Sequence, residues 1–229
     1  MAFILNIDTA TESASIALSS DGELLGSMEN EDQKDHAAWI HSAIQQLMKD
    51  HNLTMQQLRA VAVTSGPGSY TGLRVGMSTA KGICYTLRIP LIAESTLKVM
   101  ALAGIETMKA TCGNPPAQLF CPMIDARRME VFTAVYNSSL QEVVKQQPMV
   151  LNESSYAGLL AEGPIIFFGS GSKKFKAFTH HSNAIFVEVR HHARHLARLS
   201  SARFKAGKFD DPAYAEPAYL KEFYTHTKK

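Results

Sequence analysis

Gly66 and Gly68 flank Pro67 where the apolar run Val61-Ala62-Val63 gives way to a helical pattern. A glycine turn at a strand-to-helix junction presents free N–H groups with the helix dipole behind them, and Ser69 adds a hydroxyl, so the loop suits an anion or a partner's carboxylate. The spacing is not that of the Walker loop, since no Gly-Lys-Ser/Thr follows, nor that of the dinucleotide fingerprint. A plain glycine turn feeding a packed helix explains the same residues equally well. A second group, Asp8-Thr9-Ala10-Thr11-Glu12, offers a carboxylate and two hydroxyls to phosphate or to a hydrated Mg²⁺. It contains no glycine, and Glu12 repels phosphate oxygens, so a structural role for Asp8 at the mouth of a hairpin is the favoured reading. Residues 173–208 are rich in Lys and Arg against a single acid, Glu188. Arg190, Arg194 and Arg198 are spaced to share one helix face that tracks RNA phosphates, or that is simply solvated, which is the commoner case. His191 and His195 have metal-ligand spacing on a helix, but three neighbouring arginines repel a cation there, and no metal is expected.

Within the helix after the glycine loop, Gly72, Gly76 and Ala80 recur every four residues, with Ser78, Thr79 and Gly82 nearby. Helix-interior glycine costs about 1 kcal/mol against alanine, so the stripe needs a reason. Small residues on one stripe let a second backbone come close, from a partner helix or from the chain's own sheet.

The elements that must position these residues follow from periodicity. Strands are expected at 3–8, 14–20 and 23–28, the last two joined by an Asp21-Gly22 turn, then a helix over 35–50, a strand over 60–64, the glycine loop, a helix over 72–87, a strand over 90–94 and a helix over 96–109. Thr111 to Gln118, with Gly113, Pro115 and Pro116, reads as a linker. Beyond it the pattern restarts: Leu119 to Asp125 followed by Glu130 to Tyr136 echoes Ile4 to Asp8 followed by Ser15 to Leu18, and Ile165 to Ser172 repeats the strand and Gly-x-Gly-Ser loop of Val61 to Ser69. Such self-similarity predicts a duplicated mixed α/β unit, two lobes of mixed sheets with flanking helices facing a cleft, as in the actin, sugar kinase and chaperone ATPase architecture, a ribonuclease H-like fold. The lobes are expected at 1–110 and 111–211, with the tail 212–229 packing back on the first.

Composition narrows the function classes. A chain of 229 residues buries a full core. Its net charge of +2 is too mild to imply nucleic acid by itself. Cys84, Cys112 and Cys121 are odd in number and widely spaced, which speaks against a disulfide framework or a four-cysteine zinc site and for a reducing cytoplasm. No run approaches a membrane span, and the start lacks a signal-peptide pattern.

At the level of motifs the chain resembles the TsaB (YeaZ) family, the dimerisation subunit of bacterial tRNA threonylcarbamoyladenosine synthesis. The matching pieces are Asp8-Thr9-Ala10-Thr11, Ser65 through Gly76, Ser78 through Gly82, Asp125-Ala126-Arg127-Arg128-Met129-Glu130-Val131 and, at the tail, Glu216-Pro217-Ala218-Tyr219-Leu220-Lys221. The match is strong to about residue 135 and looser beyond. The resemblance implies a noncatalytic scaffold that pairs with the homologous TsaD, which carries the transfer of a threonylcarbamoyl group to the tRNA adenosine beside the anticodon. It further implies a TsaE-type ATPase in a larger complex, tRNA reached through that complex, self-pairing of the isolated chain, and weak ATP or ADP binding at the partner interface. Two metal-holding histidines of TsaD align with Thr96 and Met100, poor replacements for imidazole. The expected partner surface joins Ala37, Ala38 and His41 to Gly72, Gly76 and Ala80; the alternative is that both helices bury only their own sheet. Arg127 and Arg128 position a partner or substrate carboxylate or merely decorate a hairpin. The rival functions are an ATP-dependent small-molecule kinase using Asp8, Thr9, Thr11 and Asp125, and a peptidase.

Overall fold

The computed structural model describes residues 1–32, 36–113 and 118–221 of the chain. The first unit runs β1 (Phe3–Asp8), β2 (Ala14–Ser20), β3 (Glu23–Asn30), α1 (His36–Asp50), β4 (Leu58–Gly66), α2 (Tyr70–Leu87), β5 (Leu91–Ser95) and α3 (Thr96–Cys112). The second runs β6 (Leu119–Asp125), β7 (Glu130–Tyr136), β8 (Glu142–Val150), α4 (Ala157–Glu162), β9 (Ile165–Phe168), α5 (Ser172–Lys176), β10 (Ala184–Phe186) and α6 (Ala193–Lys205). The expected linker lies partly outside the described residues, and α3 continues into its first two positions.

The strands form two five-stranded sheets, ordered β3-β2-β1-β4-β5 and β8-β7-β6-β9-β10. In each, the first three strands pair antiparallel and the last two add in parallel. Identical order and polarity in both sheets is the duplication read from the repeat, and it is the ribonuclease H-like architecture. Asp21 (φ 52°) and Gly22 (φ 101°) make the β2–β3 turn, where both central residues take the left-handed conformation that a tight hairpin demands.

Alternation along the central strands explains why the first sheet is covered on both faces. Leu5, Ile7, Val61 and Val63 face α1 and α2, whose Ile40, Ile44, Leu47, Met77, Ala80 and Cys84 complete that core. Ile4, Ala60, Ala62 and Ile92 face the other way, onto Val99 of α3 and Leu196 of α6. Thus α6, which follows the second sheet in the chain, packs on the first. In turn α3, which follows the first sheet, packs Leu97, Met100, Ala101, Ile105 and Met108 onto Phe120, Ile124, Ile166 and Phe168 of the second. Apart from a stripe of Lys98, Glu106 and Lys109 that reaches the surface, α3 is apolar around its circumference, and it buries those faces by lying between the two sheets.

Two polar clamps hold this exchange. Buried Asn6 donates to the Ile4 and Ala17 carbonyls and to Ser19 Oγ, and accepts from Ser200 Oγ of α6 at 2.6 Å. After α6 the chain returns to the edge of β5, where Asp210 N donates to the Leu91 carbonyl at 2.9 Å and Asp210 Oδ2 accepts from Ala93 N and Arg203 Nη2. It continues over α2, with Lys81 Nζ on the Ala215 carbonyl and Ala218 N on the Ser65 carbonyl. Residues 222–229 of the expected tail lie outside the described residues.

Candidate functional site

The glycine loop is built by β4 and α2 against the end of β1. Gly66 ends β4 at φ 118°. Ser69 caps α2, its Oγ accepting from Gly72 N at 3.3 Å, while Ser69 N donates to the Ala10 carbonyl at 2.7 Å. Buried Thr9 sends its Oγ1 proton to the Gly72 carbonyl at 2.7 Å. The structure therefore does bring Asp8, Thr9, Gly66, Gly68 and Ser69 together, but the Thr9 hydroxyl, Ser69 Oγ and Ser69 N–H bond one another's loops rather than an anion.

The small-residue stripe requires a correction. Gly72, Gly76 and Ala80 are buried and do not offer a partner surface. A Cβ on Gly72 would come under 3.0 Å from the Thr9 carbonyl oxygen, and one on Gly76 under 3.0 Å from Thr9 Oγ1. The glycines let α2 lie directly on the end of β1, so the close neighbour is the chain's own sheet.

The outward face of the same two helices is where Ala37, Ala38 and His41 are exposed on α1. Opposite them α2 exposes Ser78, Gly82, Tyr85 and Thr86, with Tyr85 85% exposed and nothing within 4 Å of a Cβ on Gly82. Between the helices lie two adjoining depressions of about 520 and 390 Å³, sharing His41, Met55 and Ile83. Sequence reading missed Ser78, Gly82 and Tyr85 as the exposed counterpart. Their signal was a second small stripe, Ser78 and Gly82 at i and i+4, rotated away from the glycines that face the sheet.

Asp8 is 1% exposed. Its Oδ1 accepts from Thr64 Oγ1 at 2.8 Å and from Ala10 N at 3.2 Å. His191 covers the remaining side, its Nε2 standing 3.5 Å from Asp8 Oδ2 and 3.4 Å from Thr11 Oγ1. The adjacent interlobe cleft of about 380 Å³ is lined by Thr11, Glu12, Glu29, Glu31, Ser170, Arg190, His191 and His192, among others. Glu31 pairs with Arg190 at 3.0 Å. With three glutamates on the cleft and the Asp8 oxygens bonded within the fold, these residues do not fit a nucleotide phosphate. The position of Met100 is likewise filled: its methyl packs against Gly169, whose φ of 92° turns the second glycine loop. Thr96 is buried at the start of α3. Among the described residues no cluster of three or more His, Cys, Asp or Glu is placed to hold a metal ion.

The basic segment also differs from expectation. The helix begins only at Ala193, so Arg190 and His191 lie before it and share no helical face with Arg194, Arg198 or His195. Arg198 pairs with Glu106, and Arg203 with Asp210. Burial, with Arg194, His192 and His191 nearby, pushes the His195 imidazole down to about 3. Its Nδ1 accepts from His192 N at 3.0 Å, which a proton on that nitrogen would forbid. Burial holds His192 below its ordinary value as well, against the pull of Glu29.

Arg127 and Arg128 occupy the β6–β7 turn, both exposed and both left-handed, at φ 67° and 44°. Arg127 N donates to Asp125 Oδ1 at 2.7 Å, and Lys174 Nζ reaches the same oxygen at 2.7 Å. Partial burial pushes the Asp125 carboxyl up, but those two donors outweigh it and hold it below the usual range.

The family model for TsaD, tRNA N6-adenosine threonylcarbamoyltransferase, matches residues 23–199 of the chain. The tRNA threonylcarbamoyladenosine biosynthesis protein TsaB of Bacillus subtilis (strain 168) is 32% identical over 178 residues, 76% of this chain and 73% of that protein. TsaB of Escherichia coli (strain K12) is 35% identical over 133 residues, 58% of this chain and about half, 54%, of its own length. Among solved structures, a protein from Pseudomonas aeruginosa described as similar to peptidase YEAZ superposes with a TM-score of 0.83 at 23% identity, covering 96% of this chain and 100% of that one. YeaZ from the same organism superposes with a TM-score of 0.79 over the same shares. At such identity these structures speak for the fold. No described helix is long and apolar enough to cross a membrane.

Proposed function

The chain belongs to the TsaB (YeaZ) family of tRNA threonylcarbamoyladenosine biosynthesis proteins, and from that premise we propose that it is a noncatalytic subunit which binds and activates a TsaD-type transferase. The observation that carries this reading is the exposed α1–α2 face, where Ala37, Ala38, Ser78, Gly82 and Tyr85 lie exposed beside two depressions that share His41, Met55 and Ile83. Small side chains on both helices allow a partner's helices to seat between and upon them. The same face serves self-pairing when the chain is alone, and a TsaE-type ATPase and tRNA join through the pair. Catalysis belongs to the partner in this reading, because Asp8 is spent on Thr64, Ala10 and His191 and the cleft carries Glu12, Glu29 and Glu31. ATP or ADP binds the isolated chain weakly at most.

Gly82→Leu tests this surface, since the position is exposed and open and the side chain has room without disturbing the core. The variant should melt at or slightly above the wild-type temperature yet bind the TsaD-type partner at least tenfold more weakly, about 1.4 kcal/mol, and support proportionally less tRNA modification. Normal partner binding by the folded variant would refute the surface. Turnover of ATP by the chain without a partner would refute the noncatalytic role and favour the kinase alternative.

A further inference from the structure

A pocket of about 480 Å³ lies between the start of α2, the β6–β7 turn and the returning C-terminal segment. Its walls combine aromatic rings with cations. Tyr70 and Tyr219 stand with ring centroids 5.3 Å apart, 37% and 41% exposed. The Arg74 guanidinium lies 4.0 Å from the Tyr70 ring centroid, and its Nε donates to the Tyr219 hydroxyl at 3.1 Å. Arg127 and Arg128 line the far side, and among the described residues neither guanidinium has an ion pair. The acid on the pocket wall, Glu130, is taken by Lys221, and nearby Asp125 by Lys174. The pocket is therefore net positive, with an aromatic floor.

Aromatic faces interleaved with arginines are how proteins hold unstacked nucleotides: the ring stacks on the base whatever its identity, and the guanidinium takes the phosphate. An acidic peptide would use the cations but brings no flat group to the exposed parts of the two rings. We infer that this pocket holds one nucleotide of single-stranded RNA, the base against Tyr70 and Tyr219 and the phosphate on Arg127 and Arg128. The inference rests on the role in tRNA modification given above and names the part of that substrate which this chain itself contacts. Arg127 and Arg128 fit it, because both are exposed at the β6–β7 turn and both line this pocket.

The test uses the full chain and a fluorescently labelled single-stranded RNA heptamer, read by anisotropy across a salt series, with AMP and poly-glutamate as competitors. Asn tolerates the left-handed backbone, so Arg127→Asn with Arg128→Asn removes charge without straining the turn. That double variant should keep the wild-type melting temperature, bind RNA about tenfold more weakly, and show a log–log salt slope shallower by about 0.7, the value for one lost single-strand phosphate. Tyr219→Leu should weaken binding about tenfold with the slope unchanged, as loss of a stacking face alone predicts. Wild-type affinity and slope in the folded double variant would overturn the inference. Displacement of the RNA by equimolar AMP would overturn it in favour of a free nucleotide, and displacement by poly-glutamate in favour of an acidic partner. Reconstituted modification with the TsaD-type partner separates the two readings: unaltered modification with no RNA contact at the pocket sinks only this inference, whereas RNA binding without support of modification sinks only the proposed function.

Discussion

Gly76→Ala sets two effects against each other. Alanine is the better helix former by about 1 kcal/mol. Against that, its Cβ would fall under 3.0 Å from Thr9 Oγ1. Thr9 is fully buried at 0% exposure and its hydroxyl is bonded to the Gly72 carbonyl at 2.7 Å, so moving its Oγ1 aside breaks that bond. Forcing a methyl into a packed contact costs about 1–3 kcal/mol. Breaking the Thr9–Gly72 hydrogen bond leaves the buried Thr9 hydroxyl without its acceptor, a further cost of about 1–3 kcal/mol. The net is destabilisation of about 3 kcal/mol, or roughly 6–12 °C in melting temperature for a chain of this size. Gly82→Ala is the internal control: the same substitution in the same helix, but with nothing within 4 Å, should stabilise by about 1 kcal/mol. Thermal and urea melts of both variants read the difference in sign. A Gly76→Ala protein as stable as wild type, or the two variants shifting in the same direction, would refute the inward-facing assignment of the stripe.

Two further outcomes follow from buried polar groups. His195 has its folded value depressed from 6.5 to about 3, so its contribution is complete above pH 6.5 and lost as the pH falls toward 3, because the unfolded chain takes up the proton first. Melting temperature should therefore fall between pH 6.5 and 5 by the equivalent of about 2 kcal/mol, with half-buried His192 adding in the same direction. His195→Gln, which keeps an acceptor for the His192 N–H, should flatten that dependence; an unchanged pH profile would show that His195 is not its source. Ser200→Ala should leave Asn6 Oδ1 buried without its donor from α6 and cost about 1–3 kcal/mol, read as a lower urea midpoint at constant m. No shift would mean that this hydrogen bond does not help hold α6 on the first sheet.

The strands and helices of the first unit were legible because their information is local: alternation in β1 and β2, the Asp21-Gly22 turn and the period of α1 act over a few residues. The duplication was legible for the same reason, as one pattern written twice. The short elements α4, α5 and β10 carry too few residues to establish a period, and β8, at the edge of its sheet, does not alternate strictly between apolar and polar residues. Which face of α2 meets the sheet was not legible, since Gly72-Gly76-Ala80 and Ser78-Gly82 are both small stripes and only the position of Thr9 beneath the first distinguishes them. The exchange of α3 and α6 between the sheets, His191 over Asp8, and the pocket formed by Tyr70, Arg127 and Tyr219 join residues far apart in the chain. Those juxtapositions are decided by how the two sheets and their helices bury one another, a property of the whole chain that no local pattern encodes.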